Sequence, residues 1–377
     1  MTVRTKQPAD SASVSELISR NNSRSVASIF AVRPEAQPRT VKMLNQTLLS
    51  LIAVASLSLT MPAIAQTEPP APEATMQLPT PSKSGYASVN GVEVYYAVYG
   101  EGEPLVLLHG GLATIDMFGP NVALLAEGHQ VIAIDLQGHG HTLPFDRPMS
   151  YEAMADDVAG VIEYLGFEKA DVVGYSLGAG TALRVAIQHP EVVDKLVITS
   201  APYAWAGWHD YNQQGMRSMT PDMAEGMKGT PLYESYAAVA PDVNNFPLLI
   251  GKVAEMMMHD FDWSAEIKEI KAPTLLMFAD WDAVRTSHIA SFFELLGGGL
   301  QDAQWDGSGM NANRLAIIPN ATHYNIFADT RPGEAAIAFL DAPAAQQALL
   351  ELKIGAPNEA ATFFTVPPDA PGPRLCR

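Results

Sequence analysis

Hydrophobic positions in this chain fall into two rhythms. Short, nearly continuous apolar runs at 105–108, 130–134, 171–175, 195–199, 274–279 and 314–318 read as buried strands. Stretches near 150–165, 177–189 and 285–296 repeat their apolar residues every three or four positions and read as helices. Ahead of them, residues 86–89 and 92–99 flank Asn90-Gly91, a pair that tolerates positive φ and marks a tight hairpin. Strands alternating with helices predict an α/β fold, a mostly parallel twisted sheet with helices on both faces. The folded domain is expected over 85–340, with its first strand near Tyr86.

Two segments interrupt the alternation. Residues 202–266 are dense in methionine and aromatic side chains, Trp205, Trp208, Met216 and Met219 among them. Inserted after the sixth strand, this segment is expected to form a helical cap over the sheet edge, most of its apolar residues packing on one another and a few facing a pocket below. Residues 297–313 are glycine-rich and polar apart from Trp305. They are expected to form a mobile loop beside the pocket mouth, as lid or spacer.

The ends of the chain read differently from the middle. A polar, basic lead precedes an apolar run at 48–59, and Ala63-Ile64-Ala65 stands before Gln66. That order predicts an export signal over 1–65, cut after Ala65, with Met43 as an alternative start. An uncleaved anchor is the other reading, but the run is short for a span. Residues 66–84 are proline-rich and read as a tether. Residues 341–377 read as a tail with one helix at 344–353.

Composition narrows the function. With 377 residues and 47% hydrophobic content, the chain can bury one large core. Its net charge of −18 argues against nucleic acid, and against stable membrane association once the signal is removed. Cys376 is the single cysteine, so neither an internal disulfide nor a thiolate metal site is expected. No metal-ligand spacing and no phosphate-cradling loop occurs, so no metal and no cofactor is expected. An acidic, disulfide-free, exported chain suits the bacterial periplasm or secretion.

The candidate chemistry sits where a strand meets a helix. Asp171-Val172-Val173-Gly174-Tyr175-Ser176-Leu177-Gly178 runs from an apolar strand through Gly-x-Ser-x-Gly into a helical pattern. A serine on that tight turn stands above the sheet edge, at a helix N-terminus that favours negative charge. Its hydroxyl needs a base, and the base needs an orienting acid. His323 follows the strand at 314–318, and Asp280 and Asp282 both follow the strand at 274–279, so all share the edge of Ser176. His288 falls inside a helix and reads as a surface residue. Residue chemistry alone leaves Asp280 and Asp282 both open as the acid.

Taken together, these motifs resemble the α/β-hydrolase family. Pro104-Leu105-Val106-Leu107-Leu108-His109-Gly110-Gly111 resembles its first core strand and His-Gly loop, and Asp135-Leu136-Gln137-Gly138-His139-Gly140 its Asp-x-x-Gly-x-Gly turn. The resemblance covers about 86–340. It implies Ser176 as nucleophile, His323 as base and Asp282 as acid, with Asp280 left as a loop-capping carboxylate. It also implies an oxyanion hole from the backbone N–H groups of Leu177 and Gly111, with Leu112 as neighbour. His109 is expected to hydrogen-bond within its loop, and Asp135 and His139 to build a turn. The chain departs from the family pattern at Ala279 and Asp280, where Gly and often Glu occur, and at Thr142, where Ser is usual.

The function so implied is that of an exported serine hydrolase, cleaving a carboxylic ester of a hydrophobic or bulky small molecule through an acyl-enzyme. Lactonase, C–C-bond hydrolase, aminopeptidase and perhydrolase activities use the same three residues. A non-catalytic ligand-binding protein on this scaffold is the alternative from another class.

Overall fold

The computed structural model describes residues 78–342 apart from Phe145. The export signal, most of the tether and the helix expected at 344–353 lie outside the described residues. The eight strands are β1 (Lys83–Val89), β2 (Val92–Tyr99), β3 (Glu103–Leu108), β4 (His129–Ile134), β5 (Ala170–Tyr175), β6 (Val193–Thr199), β7 (Thr274–Trp281) and β8 (Arg314–Thr322). The α-helices are α1 (Pro120–Leu125), α2 (Tyr151–Tyr164), α3 (Leu177–Gln188), α4 (Asp210–Arg217), α5 (Met223–Met227), α6 (Pro231–Val239), α7 (Phe246–Met257), α8 (Ser264–Ile267), α9 (Thr286–Leu295) and α10 (Arg331–Leu340).

One sheet holds all eight strands, in the order β1-β2-β4-β3-β5-β6-β7-β8. The β1–β2 and β2–β4 pairs are antiparallel, and every pair from β4–β3 to β7–β8 is parallel. The hairpin turns where Asn90-Gly91 predicts it, at φ values of 49° and 79° that suit a primed turn. β1 begins at Lys83 rather than near Tyr86, because its ladder with β2 continues to the Lys83↔Val98 pair.

Alternation along the central strands divides the core into two layers. Val106, Leu108, Ile132, Ile134 and Val172 face one layer, closed by Met154 and Val158 of α2, Leu183 of α3 and Phe292 of α9. Leu105, Leu107, Val131, Ala133 and Val173 face the other, closed by Val122 of α1 and Ala336 of α10. This two-sided burial explains why the parallel strands read as unbroken apolar runs.

The segment between β6 and β7 holds α4 to α8, and its buried Phe246, Leu249 and Tyr236 join the first layer. Residues 297–313 lie away from the edge where Ser176 emerges. A helix after a parallel strand returns the chain to the start of the sheet, so the segment that joins α9 to β8 borders the N-terminal ends of β7 and β8. Asn313 Oδ1 accepts from Thr274 N–H at the start of β7 (2.9 Å). The expected place beside the pocket mouth is therefore corrected.

Candidate active site

Ser176 lies between β5 and α3 at φ 51° and ψ −114°, a backbone conformation that costs a non-glycine residue energy. Its own N–H donates to Thr199 O and its carbonyl accepts from Gly180 N–H, both at 2.9 Å, which hold the turn from both sides. The flanking glycines are required by packing. A Cβ on Gly174 would stand 2.3 Å from Gly178 O, and one on Gly178 would stand 2.3 Å from Leu108 O. The first turn of α3 therefore rests on the backbone of β3.

Side chains from three loops converge on this turn. Ser176 Oγ lies 3.2 Å from His323 Nε2, and His323 Nδ1 lies 3.1 Å from Asp282 Oδ1. Asp282 is held on every side: Val284 N–H also donates to Oδ1, and Ser200 Oγ (2.5 Å) and Ala279 N–H (3.0 Å) donate to Oδ2. Burial pushes this carboxyl up, but the hydrogen bond and charge of His323 and the hydroxyl of Ser200 outweigh it and leave the group below its ordinary value. Asp280 points elsewhere. Its exposed carboxylate accepts from Asn320 N–H and Ala321 N–H, both at 3.0 Å, and so fastens the end of β7 to β8.

The ring of His323 is enclosed. Trp208 meets it edge-on at 5.6 Å, Tyr175 flanks it at 5.4 Å, and the Tyr175 hydroxyl donates to His323 O. Trp208 is placed by a bridge to Val284 and by the neighbouring His209 N–H to Ala283 O bond (3.0 Å), which tie the base of the insertion to the loop after β7.

Leu177 is the first residue of α3, so its N–H has no intrahelical acceptor. Gly111 N–H has no acceptor among the described residues. Leu112 N–H, its neighbour, is taken up by His139 Nε2 (3.0 Å). The crowded glycine of this loop is Gly110, where a Cβ would stand 2.7 Å from the Tyr175 ring; at Gly111 it would meet Leu177 at an ordinary 3.7 Å.

The histidines of the two family-like loops act as neutral clasps. His109 Nδ1 bonds its own Gly110 O (2.7 Å) while Nε2 accepts from Leu136 N–H (3.0 Å). His139 Nδ1 bonds Gln137 O (2.9 Å) while Nε2 accepts from Leu112 N–H. Each ring thus carries its proton on Nδ1. Burial pushes both pKa values down, that of His139 to about 3. Asp135 accepts from Ile115 N–H (3.1 Å) and His141 N–H (2.9 Å), and Thr142 Oγ1 bonds Asp135 O (2.7 Å). Thr142 thereby supplies the hydroxyl expected of serine at that turn.

His288 is a correction. It lies in α9, but its ring is half-buried and stacked on Tyr203 at 4.0 Å, with Nε2 buried and unpartnered among the described residues. Burial lowers its pKa to about 4. The apolar insertion folds over this side of the helix that sequence periodicity assigns to solvent.

A cavity of about 250 Å³ opens on Ser176 and His323. Leu112, Met216, Met219, Val253 and Met257 form much of its wall, with Tyr151, Asn212 and Tyr324 as polar members. Ser200, Trp208 and Tyr151 are contributors that sequence reading did not assign to the site. A signal existed for Ser200, which directly follows β6 at the Ser176 edge. Among the described residues no group of three or more His, Cys, Asp or Glu is arranged to hold a metal ion.

A hydroxyl, an imidazole and a carboxylate in series, beside a helix N-terminus at the edge of a doubly covered parallel sheet, are the arrangement of a hydrolase fold. A family model described as the alpha/beta hydrolase fold matches residues 103–232. The AB hydrolase superfamily protein YisY of Bacillus subtilis is 30% identical over 217 residues, which cover 51% of this chain and 79% of that protein. The chain belongs to the α/β-hydrolase family. A Haemophilus influenzae protein carrying an esterase/lipase name is 33% identical over 109 residues, or 28% of this chain, and this chain spans only 38% of that protein's length. A hydrolase from Pseudomonas aeruginosa PA01 shares the fold at a TM-score of 0.53 and 21% identity, covering 69% of this chain and 99% of that one.

Proposed function

We propose that this chain is a serine hydrolase that cleaves carboxylic esters of hydrophobic or bulky small molecules. The Ser176–His323–Asp282 hydrogen-bonded series, opening on a methionine-lined cavity, carries the reading. His323 Nε2 takes the Ser176 proton as Oγ attacks the ester carbonyl. Leu177 and Gly111 N–H groups hold the oxyanion. The His323 imidazolium then protonates the leaving alcohol, which leaves an acyl-Ser176. Water, deprotonated by His323, attacks that acyl group; the acyl C–Oγ bond breaks as His323 returns the proton to Ser176 Oγ, and the carboxylic acid is released. Asp282 fixes the Nδ1–H tautomer and stabilises the imidazolium throughout.

The cavity favours an ester over a peptide with a free amino terminus, because among the described residues no Asp or Glu lies in its wall to receive an ammonium group. We further propose export to the periplasm or medium with cleavage after Ala65, which N-terminal sequencing of the mature protein tests. The reaction is tested by fluorophosphonate labelling with peptide mapping, followed by esters, lactones and peptide amides graded by size. A single adduct on Ser176, absent from Ser176→Ala, with turnover of apolar esters is expected. A folded protein that neither labels nor turns over any substrate would leave a ligand-binding role.

A further inference from the structure

One side-chain hydroxyl in the cavity wall has no partner among the described residues. Ser150 caps α2, its Oγ accepting from Ala153 N–H (3.1 Å), and so fixes Tyr151 as the first residue of the helix. The Tyr151 ring packs on α3, close enough that a Cβ on Gly180 would stand 2.5 Å from it. Phe261 and Trp263 meet it in T-shaped contacts at 5.4 and 5.2 Å. The ring is therefore immobilised, and the residue is only 7% exposed. Its hydroxyl makes no hydrogen bond among the described residues, yet is not sealed by protein, and Tyr151 lines the same cavity as Ser176.

Among the other polar wall side chains, Trp208 Nε1 also lacks a partner among the described residues but is fully buried, whereas Asn212 and Tyr324 are engaged with each other. Asn212 Nδ2 donates to Tyr324 Oη (2.9 Å), and Tyr324 is exposed, which places that pair at the mouth. The wall also holds the apolar set of Leu112, Met216, Met219, Val253 and Met257. Burial pushes the Tyr151 phenol upward, so it stays protonated and is a donor. An unmet donor in an apolar wall is costly, and a ligand that satisfies it gains what an alkyl chain cannot.

We propose that Tyr151 is a specificity-determining residue that donates to an uncharged hydrogen-bond acceptor on the substrate, an ether, ketone or second ester oxygen distinct from the scissile carbonyl. The acceptor is uncharged because among the described residues no Lys or Arg lines the cavity to neutralise an anion. This deepens the ester-hydrolase reading and rests on it.

The test uses dialkyl ketones, which copy the ester carbonyl but cannot be hydrolysed, with one methylene replaced by ether oxygen at successive positions on either side. Their binding to the full-length Ser176→Ala chain is measured by calorimetry. One oxygen position is expected to be preferred over its neighbours. Adding Tyr151→Phe should lower the ratio of that ligand's affinity to the all-carbon parent's about tenfold, equivalent to about 1.4 kcal/mol. A series with no preferred position, or a preference that survives Tyr151→Phe, overturns the assignment. Ester turnover and Ser176 labelling of the parent chain, run in parallel, separate the two readings. Their absence overturns the hydrolase, whereas turnover with a flat ketone series overturns Tyr151 alone.

Discussion

Replacing Asp282 by Asn, beside Asp280 by Asn, measures what each carboxylate does. Asp282 accepts four hydrogen bonds, two on each oxygen, from His323 and Val284 and from Ser200 and Ala279. An amide keeps only one accepting oxygen. With its nitrogen on the Oδ1 side, Val284 N–H meets a donor and His323 must accept at Nδ1, which moves the ring proton to Nε2 against Ser176. With its nitrogen on the Oδ2 side, Ala279 N–H meets a donor, although the Ser200 hydroxyl can turn to accept. In either orientation one buried N–H loses its acceptor, at about 1–3 kcal/mol of stability. In both, the imidazolium loses its counter-charge. In Ser-His-Asp systems that change costs about 10⁴-fold in kcat, so a loss of about 10³–10⁴-fold, or about 4–5 kcal/mol, is expected here. Asp280→Asn still accepts one backbone N–H at an exposed edge and should stay within about tenfold of the parent. The assay is kcat on p-nitrophenyl esters across the neutral pH range, with thermal unfolding to show that each variant is folded. Equal losses in the two variants, or an Asp282→Asn enzyme within tenfold of the parent, would refute the reasoning.

Three further outcomes follow from the geometry. Ser176 occupies a φ of 51° that favours glycine, with a strain of about 1–3 kcal/mol; Ser176→Gly should therefore unfold at a higher temperature than Ser176→Ala, and the opposite order in a melting scan would show that the turn is unstrained. His139→Leu strips Leu112 N–H of its acceptor beside the Gly111 donor, and should lower kcat with little change in KM and cost about 1–3 kcal/mol of stability, while His139→Gln, which can accept, should recover part of both; identical Leu and Gln kinetics would remove His139 from any positioning role. Asp171 has its pKa raised to about 7 by burial and by Asp194, while its carboxylate accepts from Lys195 N–H. Because the folded value lies above the unfolded one, the native state holds the proton more tightly, and stability falls as pH rises from about 4 to about 7. Asp171→Asn keeps the acceptor without the charge, so its melting temperature should exceed the parent's at about pH 8 and converge with it near pH 4; a gain that does not vary with pH would contradict this origin.

The sequence is most legible where one residue carries one constraint. Buried parallel strands read as apolar runs because both faces are covered, and Ser176 reads as a turn because Gly174 and Gly178 admit no Cβ against Gly178 O and Leu108 O. The insertion is less legible, since Trp208, Met216 and Met219 carry the same apolar signal whether they pack in the first core layer or line the cavity. Ser200 and Tyr151 were missed for a related reason. A single hydroxyl after a strand, or at a helix start, carries no periodicity, and its meaning depends on Asp282 or Gly180 arriving from elsewhere in the chain. The placing of 297–313 failed on direction instead: a segment that follows a helix borders the strand starts, which α9 ahead of it already implied.

The two aspartates show where pattern gives way to geometry. Along a regular strand, residues 280 and 282 share one face, so alternation makes them equivalent candidates. The ladder with β8 breaks that equivalence. Its register runs from Ala279↔Ile318 to Trp281↔Thr322 through an irregularity, so extra chain on β8 is gathered opposite Asp280. The unpaired N–H groups of Asn320 and Ala321 in that bulge need an acceptor, and Asp280 supplies both bonds. Asp282, past the end of the ladder, is left to turn inward, where Ala279 N–H, Val284 N–H and Ser200 Oγ collect it beneath His323. The bulge thus assigns one carboxylate to the sheet and the other to the imidazole. Shortening it by deleting Asn320 should disturb both partnerships together, whereas a substitution at Asp280 should disturb only the first.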